Sequence, residues 1–220
     1  MPGGKRTDHI SVRDMEVLDF IARFGVVPRH AVAVWAGTAR TVTIVREGRL
    51  RRADLIRVVR GFGEVGPLCV CTKVGLDASG RRELHTARVS AAAVSHDTKV
   101  AQLAASLESS GEALLSEREI LASERAAGEH VFSATLPSGR VHRADLLRVG
   151  RDGGPGEAIE VELSTKGAAR LDELLRAWRR AVAEKRISRV VYRCSPRTMP
   201  HVSRAVERTK TDSVVSVREL

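Results

Sequence analysis

Three carboxylates in the second half of the chain have a spacing that could serve phosphodiester chemistry. Asp145 lies in one predicted strand, and Glu160 and Glu162 lie in the next. Because side chains alternate along a strand, Glu160 and Glu162 are expected on one face of the sheet. Carboxylates on neighbouring strands can hold Mg²⁺ or Mn²⁺, which polarises a phosphate group. Lys166 follows directly and is the candidate cation of such a site.

An arginine-rich segment that begins near Thr38 is the second group of residues with chemical potential. We predict that it contacts double-stranded DNA. The predicted base-contacting residues are Arg40, Thr41, Thr43, Ile44 and Glu47. The predicted phosphate-contacting residues are Arg46, Arg51, Arg52, Arg57 and Arg60, and Thr38 and Arg49 complete the predicted DNA-binding set.

The elements before and after this segment predict the fold that positions it. Apolar residues recur at helical spacing between Ser11, which can cap a helix, and Gly25. A short second helix is predicted from Pro28, a third helix begins near Thr38, and Gly48 leaves the end of the third helix open. Two β segments joined by a glycine-rich loop follow. This order is that of a winged helix-turn-helix; the alternative is a helical interaction domain with solvated arginines.

The charge distribution favours a polyanionic partner for the first part of the chain. The 220 residues carry a formal net charge of +10. Residues 1–90 contain 16 basic and 9 acidic side chains, whereas residues 91–220 contain 21 and 18. Charge alone does not separate nucleic acid from an acidic membrane surface. We predict two domains, a DNA-binding domain over 1–90 and an α/β domain over 91–220.

The predicted α/β domain has strands and helices in mixed order after a helix near residues 94–107. Such an order predicts a central mixed sheet flanked by helices, so the fold class is α+β. The stripe formed by Leu171, Leu174, Leu175 and Trp178 predicts core packing of a long helix.

The cysteine content and hydropathy predict a cytoplasmic protein without membrane insertion. Cys69, Cys71 and Cys194 are an odd number without a C-x-x-C pair. Cys69 and Cys71 are expected on one face of a strand as core residues, with a zinc site as the alternative. No apolar run approaches the ~20 residues needed to cross a bilayer.

The run His142 to Asp145, the segment from Ile159 to Lys166 and the leucine-rich helix after it resemble the restriction-endonuclease-like fold with its D…(D/E)-x-K signature. Together with the predicted N-terminal winged helix, the chain is similar to the replication-relaxation family of plasmid and phage regulators. This resemblance implies sequence-specific DNA binding and control of replication or transcription, as in a phage immunity or plasmid repressor.

The chain departs from the nuclease signature at one position. Asp145 and Glu160 match, but Glu162 stands where the lysine is expected. A carboxylate cannot offset the charge that develops on the phosphate. We therefore predict a degenerate domain without a metal or cofactor that serves as a binding scaffold.

Three alternatives for this domain stay open. It could be a metal-dependent nuclease that uses Mg²⁺ or Mn²⁺ with Asp145, Glu160 and Glu162, in which Lys166 substitutes for the missing lysine. It could be an adaptor that binds protein. Glu160 and Glu162 could also form the polar face of an edge strand, paired with Arg143 or Arg148. The sequence leaves monomer and homodimer equally open.

Overall fold

The computed structural model describes residues 9–150 and 153–220, which form an α+β fold. Within that part of the chain there are eight α-helices, a three-stranded and a two-stranded antiparallel sheet, and one five-stranded mixed sheet. The chain divides into two compact units, residues 1–109 and 110–220. No helix of the described part is both long and apolar enough to cross a membrane.

The first unit contains five helices and a three-stranded sheet. Its helices are α1 (Val12–Phe24), α2 (Arg29–Ala36), α3 (Arg40–Arg52), α4 (Lys73–Ala78) and α5 (Val94–Ser109). Its strands are β1 (Val27–Pro28), β2 (Ile56–Val59) and β3 (Leu68–Cys71), arranged β1-β3-β2 with antiparallel pairing throughout. A 3₁₀ turn at Gly63–Val65 lies in the loop that joins β2 to β3.

The local signals for the first helices are confirmed. Ser11 caps α1 in a capping box with Asp14, and Gly25 ends the helix. Gly37 ends α2 in the left-handed conformation, with φ of 59°, which glycine adopts without steric cost. Thr38 does not cap α3, because the N-cap position is Ala39 and has no side-chain hydrogen bond.

The first unit extends beyond the boundary predicted at residue 90 and includes α5. This helix packs against α2 and β1. Its Ala101, Ala104 and Ala105 are fully buried, and their small side chains allow close helix packing. The helix and strand that α5 contacts lie more than 50 residues earlier in the sequence. The local sequence pattern therefore does not predict that α5 belongs to the first unit.

The second unit is built around the mixed sheet. Its strands are β4 (Leu114–Ser116), β7 (Leu146–Arg148), β8 (Glu157–Glu162), β9 (Arg189–Cys194) and β10 (Val215–Glu219), in the order β10-β9-β8-β7-β4. Strand β8 is parallel to β9 and antiparallel to β7, and β9 is parallel to β10. Two further strands, β5 (Ser133–Thr135) and β6 (Val141–Arg143), form an antiparallel pair.

Three helices accompany this sheet: α6 (Glu117–Ala127), α7 (Ala168–Ala183) and α8 (Met199–Thr209). The predicted stripe on α7 is confirmed as core, because Leu171, Leu174, Leu175 and Trp178 are all buried in one cluster with residues of β8 and β9. Burying one such leucine contributes about 1.5–3 kcal/mol.

The single strand predicted to contain Asp145 is divided into two strands. Strand β6 ends at Arg143 and β7 starts at Leu146. Asp145 lies in the break, where its carboxylate accepts a hydrogen bond from the Val161 backbone N–H at 2.6 Å. The interruption therefore turns a carboxylate toward the C-terminal end of β8.

Candidate functional site

The outward face of α3, on the side opposite its buried residues, is the first candidate site. One side of the helix is buried through Thr43, Glu47 and Leu50. The opposite side carries Thr41, Val45, Gly48 and Arg52, which recur at the i, i+4, i+7, i+11 spacing of a single helix face. This face is therefore available for a partner.

Ion pairs fix the orientation of α3. Glu47 receives a bidentate pair from Arg29, at 2.6 Å from Nε and 2.8 Å from Nη2. The fully buried Asp14 accepts from Arg46 Nη1 at 3.0 Å and from Arg49 Nη1 at 2.7 Å. Burial raises the pKa of Asp14, but the hydrogen bonds from Ser11 and the two arginines lower it by more, so the carboxylate stays ionised.

The predicted DNA-binding residues fall into two groups. Those held by the protein interior are Thr38, Thr43, Arg46, Glu47 and Arg49. Those that are exposed are Arg40, Thr41, Ile44, Arg51, Arg52, Arg57 and Arg60. Because Thr43 and Glu47 are buried against the unit, no base-contacting role is retained for them.

The β2–β3 hairpin lies next in the chain after α3. Arg57 in β2 is exposed, and its guanidinium donates to the Ala87 carbonyl at 3.1 Å. Gly61, Gly63 and Gly66 in the loop have positive φ values between 55° and 101°, so they permit a tight turn there. The hairpin therefore presents the basic strand β2 beside a tight tip, residues 61–66, that has one acidic and no basic side chain.

The predicted cysteine environment is confirmed. Cys69 and Cys71 lie in β3 as free, buried thiols. Burial, with the nearby Glu47 carboxylate, raises the pKa of Cys69. Such a thiol is a core group and a poor metal ligand.

The carboxylate cluster of the second unit is the other candidate site. Glu160 Oε1 lies 2.8 Å from His142 Nε2, and Glu162 forms an ion pair with Lys166. Both glutamates are buried. Strand β8 lies between β7 and β9, so the edge-strand alternative is wrong. The partners of Glu160 and Glu162 are His142 and Lys166 instead of the expected Arg143 or Arg148.

The electrostatics of this cluster reflect crowded negative charge. Burial lowers the pKa of His142, but the Glu160 carboxylate and its hydrogen bond, with Asp145, raise it by more, so the net shift is upward. The pKa of Glu117 is raised by withdrawal from water and by Asp145 and Glu160. Burial, Glu160 and the other carboxylates raise the pKa of Tyr192 far above its usual value.

Glu117 and Tyr192 belong to the cluster but are not predicted from the sequence. The Glu117 backbone N–H donates to the Asp145 carbonyl at 3.1 Å, and Tyr192 lies beside Glu160 in register on β9. Because residues 109–129 are mostly polar, their composition does not predict α6. The signal that would find it is the capping box of Ser116 with Glu119, which lies directly before the apolar positions of the helix.

The cluster does not fit a divalent metal. Asp145 is bound to a backbone N–H, Glu160 to His142, and Glu162 to Lys166. Within residues 9–150 and 153–220, no group of three His, Cys, Asp or Glu side chains is arranged to hold a metal ion. The arrangement instead pairs Glu160 with His142 and Glu162 with Lys166, and it connects β6, β8 and the segment before α7.

Comparison of the chain with protein-family models, with curated proteins and with solved structures finds no match in any of the three.

Proposed function

We propose that this protein is a sequence-specific double-stranded DNA-binding regulator of transcription or replication, of the kind found as phage or plasmid repressors. The observation that carries the proposal is the outward face of α3. It is bordered by exposed arginines at both ends, and buried ion pairs fix its orientation. Guanidinium groups suit phosphate and guanine recognition because they donate bidentate hydrogen bonds.

The element order supports a winged helix-turn-helix within the first unit. Helices α2 and α3 are separated by a short turn at Gly37, and the β2–β3 hairpin follows. In such a motif the second helix enters the major groove and the hairpin contacts the backbone. Arg51, Arg52, Arg57 and Arg60 are then the phosphate-binding residues.

We further propose that the second unit is a degenerate restriction-endonuclease-like domain without catalytic activity. Its support is the approach of Asp145 to β8 together with glutamate at position 162. A working nuclease needs a cation free to act on the phosphate, whereas Lys166 is paired with Glu162. The pairing of Glu160 and Glu162 with basic side chains therefore favours a structural or partner-binding role over the alternative of metal-dependent cleavage.

Selection of bound fragments from genomic DNA, followed by fluorescence anisotropy on the recovered sites, tests the proposal. We expect salt-sensitive, sequence-specific affinity. The double variant Arg51→Ala/Arg52→Ala should reduce the slope of log affinity against log salt by about 2, because two phosphate contacts are lost. Symmetric half-sites would indicate a dimer, and a single asymmetric site would indicate a monomer.

The matched control is Arg208→Ala, which removes an exposed arginine that pairs with Asp172 in the second unit. Its salt slope should equal that of the unmodified protein. Absence of salt-dependent affinity for every duplex tested would refute the regulator proposal.

A further inference from the structure

The middle turns of α3 expose apolar side chains, although the helix is rich in arginine. Val42, Ile44 and Val45 have exposed fractions of 40%, 41% and 56%. Thr41 contributes one hydroxyl, and Gly48 contributes no side chain. Charged side chains border these apolar residues at Arg40 and at the C-terminal end of the helix.

Apart from arginine and threonine, the helix lacks the side chains that read base edges by hydrogen bonding. Its sequence, residues 40–52, contains no Asn, Gln, Lys or Asp. Its one carboxylate, Glu47, is committed to Arg29. Direct readout of adenine by amides and of cytosine by carboxylates is therefore not available from α3.

Apolar side chains in the major groove contact the 5-methyl group of thymine, which is the one apolar group that a base pair presents there. Ile44 and Val45 have the chemistry for this contact. The flanking arginines and the basic excess of residues 1–90 favour DNA over an apolar protein surface as the occupant.

Gly48 gives independent support for close approach. A Cβ at this position would meet only the flexible end of Arg52, with Nη1 at 3.3 Å. Packing within the protein therefore does not require glycine, and glycine is among the least favourable residues inside a helix. A glycine on the exposed face is explained if another molecule comes close to the helix backbone there.

We propose that α3 recognises thymine methyl groups in the major groove, with Ile44 and Val45 against the methyls and Gly48 admitting the groove to the helix backbone. The proposal rests on the proposed function, because it names the chemical feature of the duplex that the same face selects. The recognised site is accordingly expected to contain thymines at the positions facing α3.

Replacement of thymine by deoxyuridine in a selected site tests this, because it removes the methyl group and keeps the base pair. Affinity should fall about fourfold for each contacted methyl. In the Ile44→Ala/Val45→Ala double variant the same replacement should have almost no effect. Val74→Ala, which shortens a comparably exposed valine on α4, should retain the full uracil sensitivity.

Gly48→Ala provides a second measurement, because weaker binding by this variant cannot be attributed to weakened folding. This variant should unfold at a higher urea concentration and yet bind the selected site at least tenfold more weakly. Equal affinity for the thymine and uracil sites, or unchanged affinity of Gly48→Ala, would overturn the inference while leaving DNA binding intact. A dimer that Ile44→Ala/Val45→Ala dissociates without loss of DNA affinity would also overturn it, since the face would then be a protein interface.

Discussion

Asp14→Asn tests whether a buried carboxylate holds α3 in position. The Asp14 carboxylate accepts from the Ser11 backbone N–H at 3.0 Å, the Ser11 hydroxyl at 2.7 Å, and one nitrogen each of Arg46 and Arg49. Asparagine keeps one acceptor oxygen and turns an NH₂ group toward these donors. Both guanidinium groups then lose their compensating charge.

The expected cost follows from the burial of the pair. Removing one partner of a buried ion pair costs roughly 3–5 kcal/mol. Arg46 and Arg49 keep 17% and 27% of their side-chain surface exposed, so water can recover part of the loss. We therefore expect a loss of about 3 kcal/mol, which corresponds to roughly 100-fold faster exchange of protected α1 amides.

Hydrogen exchange followed by mass spectrometry is the appropriate assay, because it reports on each unit separately. Peptides from α7 serve as an internal reference. The matched variant is Asp19→Asn on the same helix, which breaks a partly exposed pair with Arg81 and should cost no more than about 1 kcal/mol. If Asp14→Asn speeds exchange no more than Asp19→Asn does, the assigned role of the buried carboxylate is wrong.

The pH dependence of this difference has a definite sign. The folded-state pKa of Asp14 is lowered below its ordinary value of 3.8. The carboxylate therefore contributes stability above pH 3.8, and this contribution is lost as the pH falls through the lower folded-state pKa. The difference between the unmodified protein and Asp14→Asn should accordingly shrink in acid.

Three further predictions concern other parts of the chain. The folded-state pKa of His142 is raised above its ordinary value of 6.5. The stability that His142 contributes is therefore complete below pH 6.5 and is lost as the pH rises through the folded-state pKa. Glu160→Gln should remove this dependence of the urea midpoint on pH. Gly75→Ala should cost about 3 kcal/mol or more in urea denaturation, since its Cβ would lie 1.9 Å from a backbone carbonyl oxygen, whereas Gly48→Ala should not destabilise. Supercoiled DNA incubated with the protein and millimolar Mg²⁺ should remain intact, and cleavage lost in Asp145→Ala would contradict the non-catalytic reading.

Elements with strong local signals could be predicted from the sequence. Helix α1 has a capping residue, an apolar period and a terminal glycine that agree, and the two β segments predicted after α3 correspond to β2 and β3. Helix α7 has an apolar stripe that is continuous over its buried side. In each case the interactions that define the element lie within a few residues of one another.

The inward side of α3 could not be predicted in the same way. Apolar periodicity normally marks the buried side of a helix, but here that side carries Thr43 and Glu47. Glu47 is buried because Arg29, 18 residues earlier, supplies a matching guanidinium. A local pattern cannot distinguish a paired, buried glutamate from a solvated one.

The same difficulty affects the carboxylate cluster. The spacing correctly brings Asp145 close to the strand of Glu160, since Asp145 directly precedes β7 and β7 pairs with β8. The spacing does not reveal that Asp145 accepts from the Val161 N–H or that His142 forms a hydrogen bond with Glu160. These pairings decide the chemistry, because carboxylates that already have partners are poor ligands for an added cation.

The ion pairs of α3 connect its stability with its outward face. Leu50 is the one apolar side chain that α3 buries, so charged contacts to α1 and α2 supply much of what orients the helix. Buried pairs are screened by salt far less than exposed charges are. The helix should consequently keep its position at ionic strengths that weaken phosphate contacts, and loss of binding in high salt would report on the exposed arginines rather than on a displaced α3. Salt can weaken binding without displacing the helix because the arginines that orient α3 and those exposed to a partner are different residues.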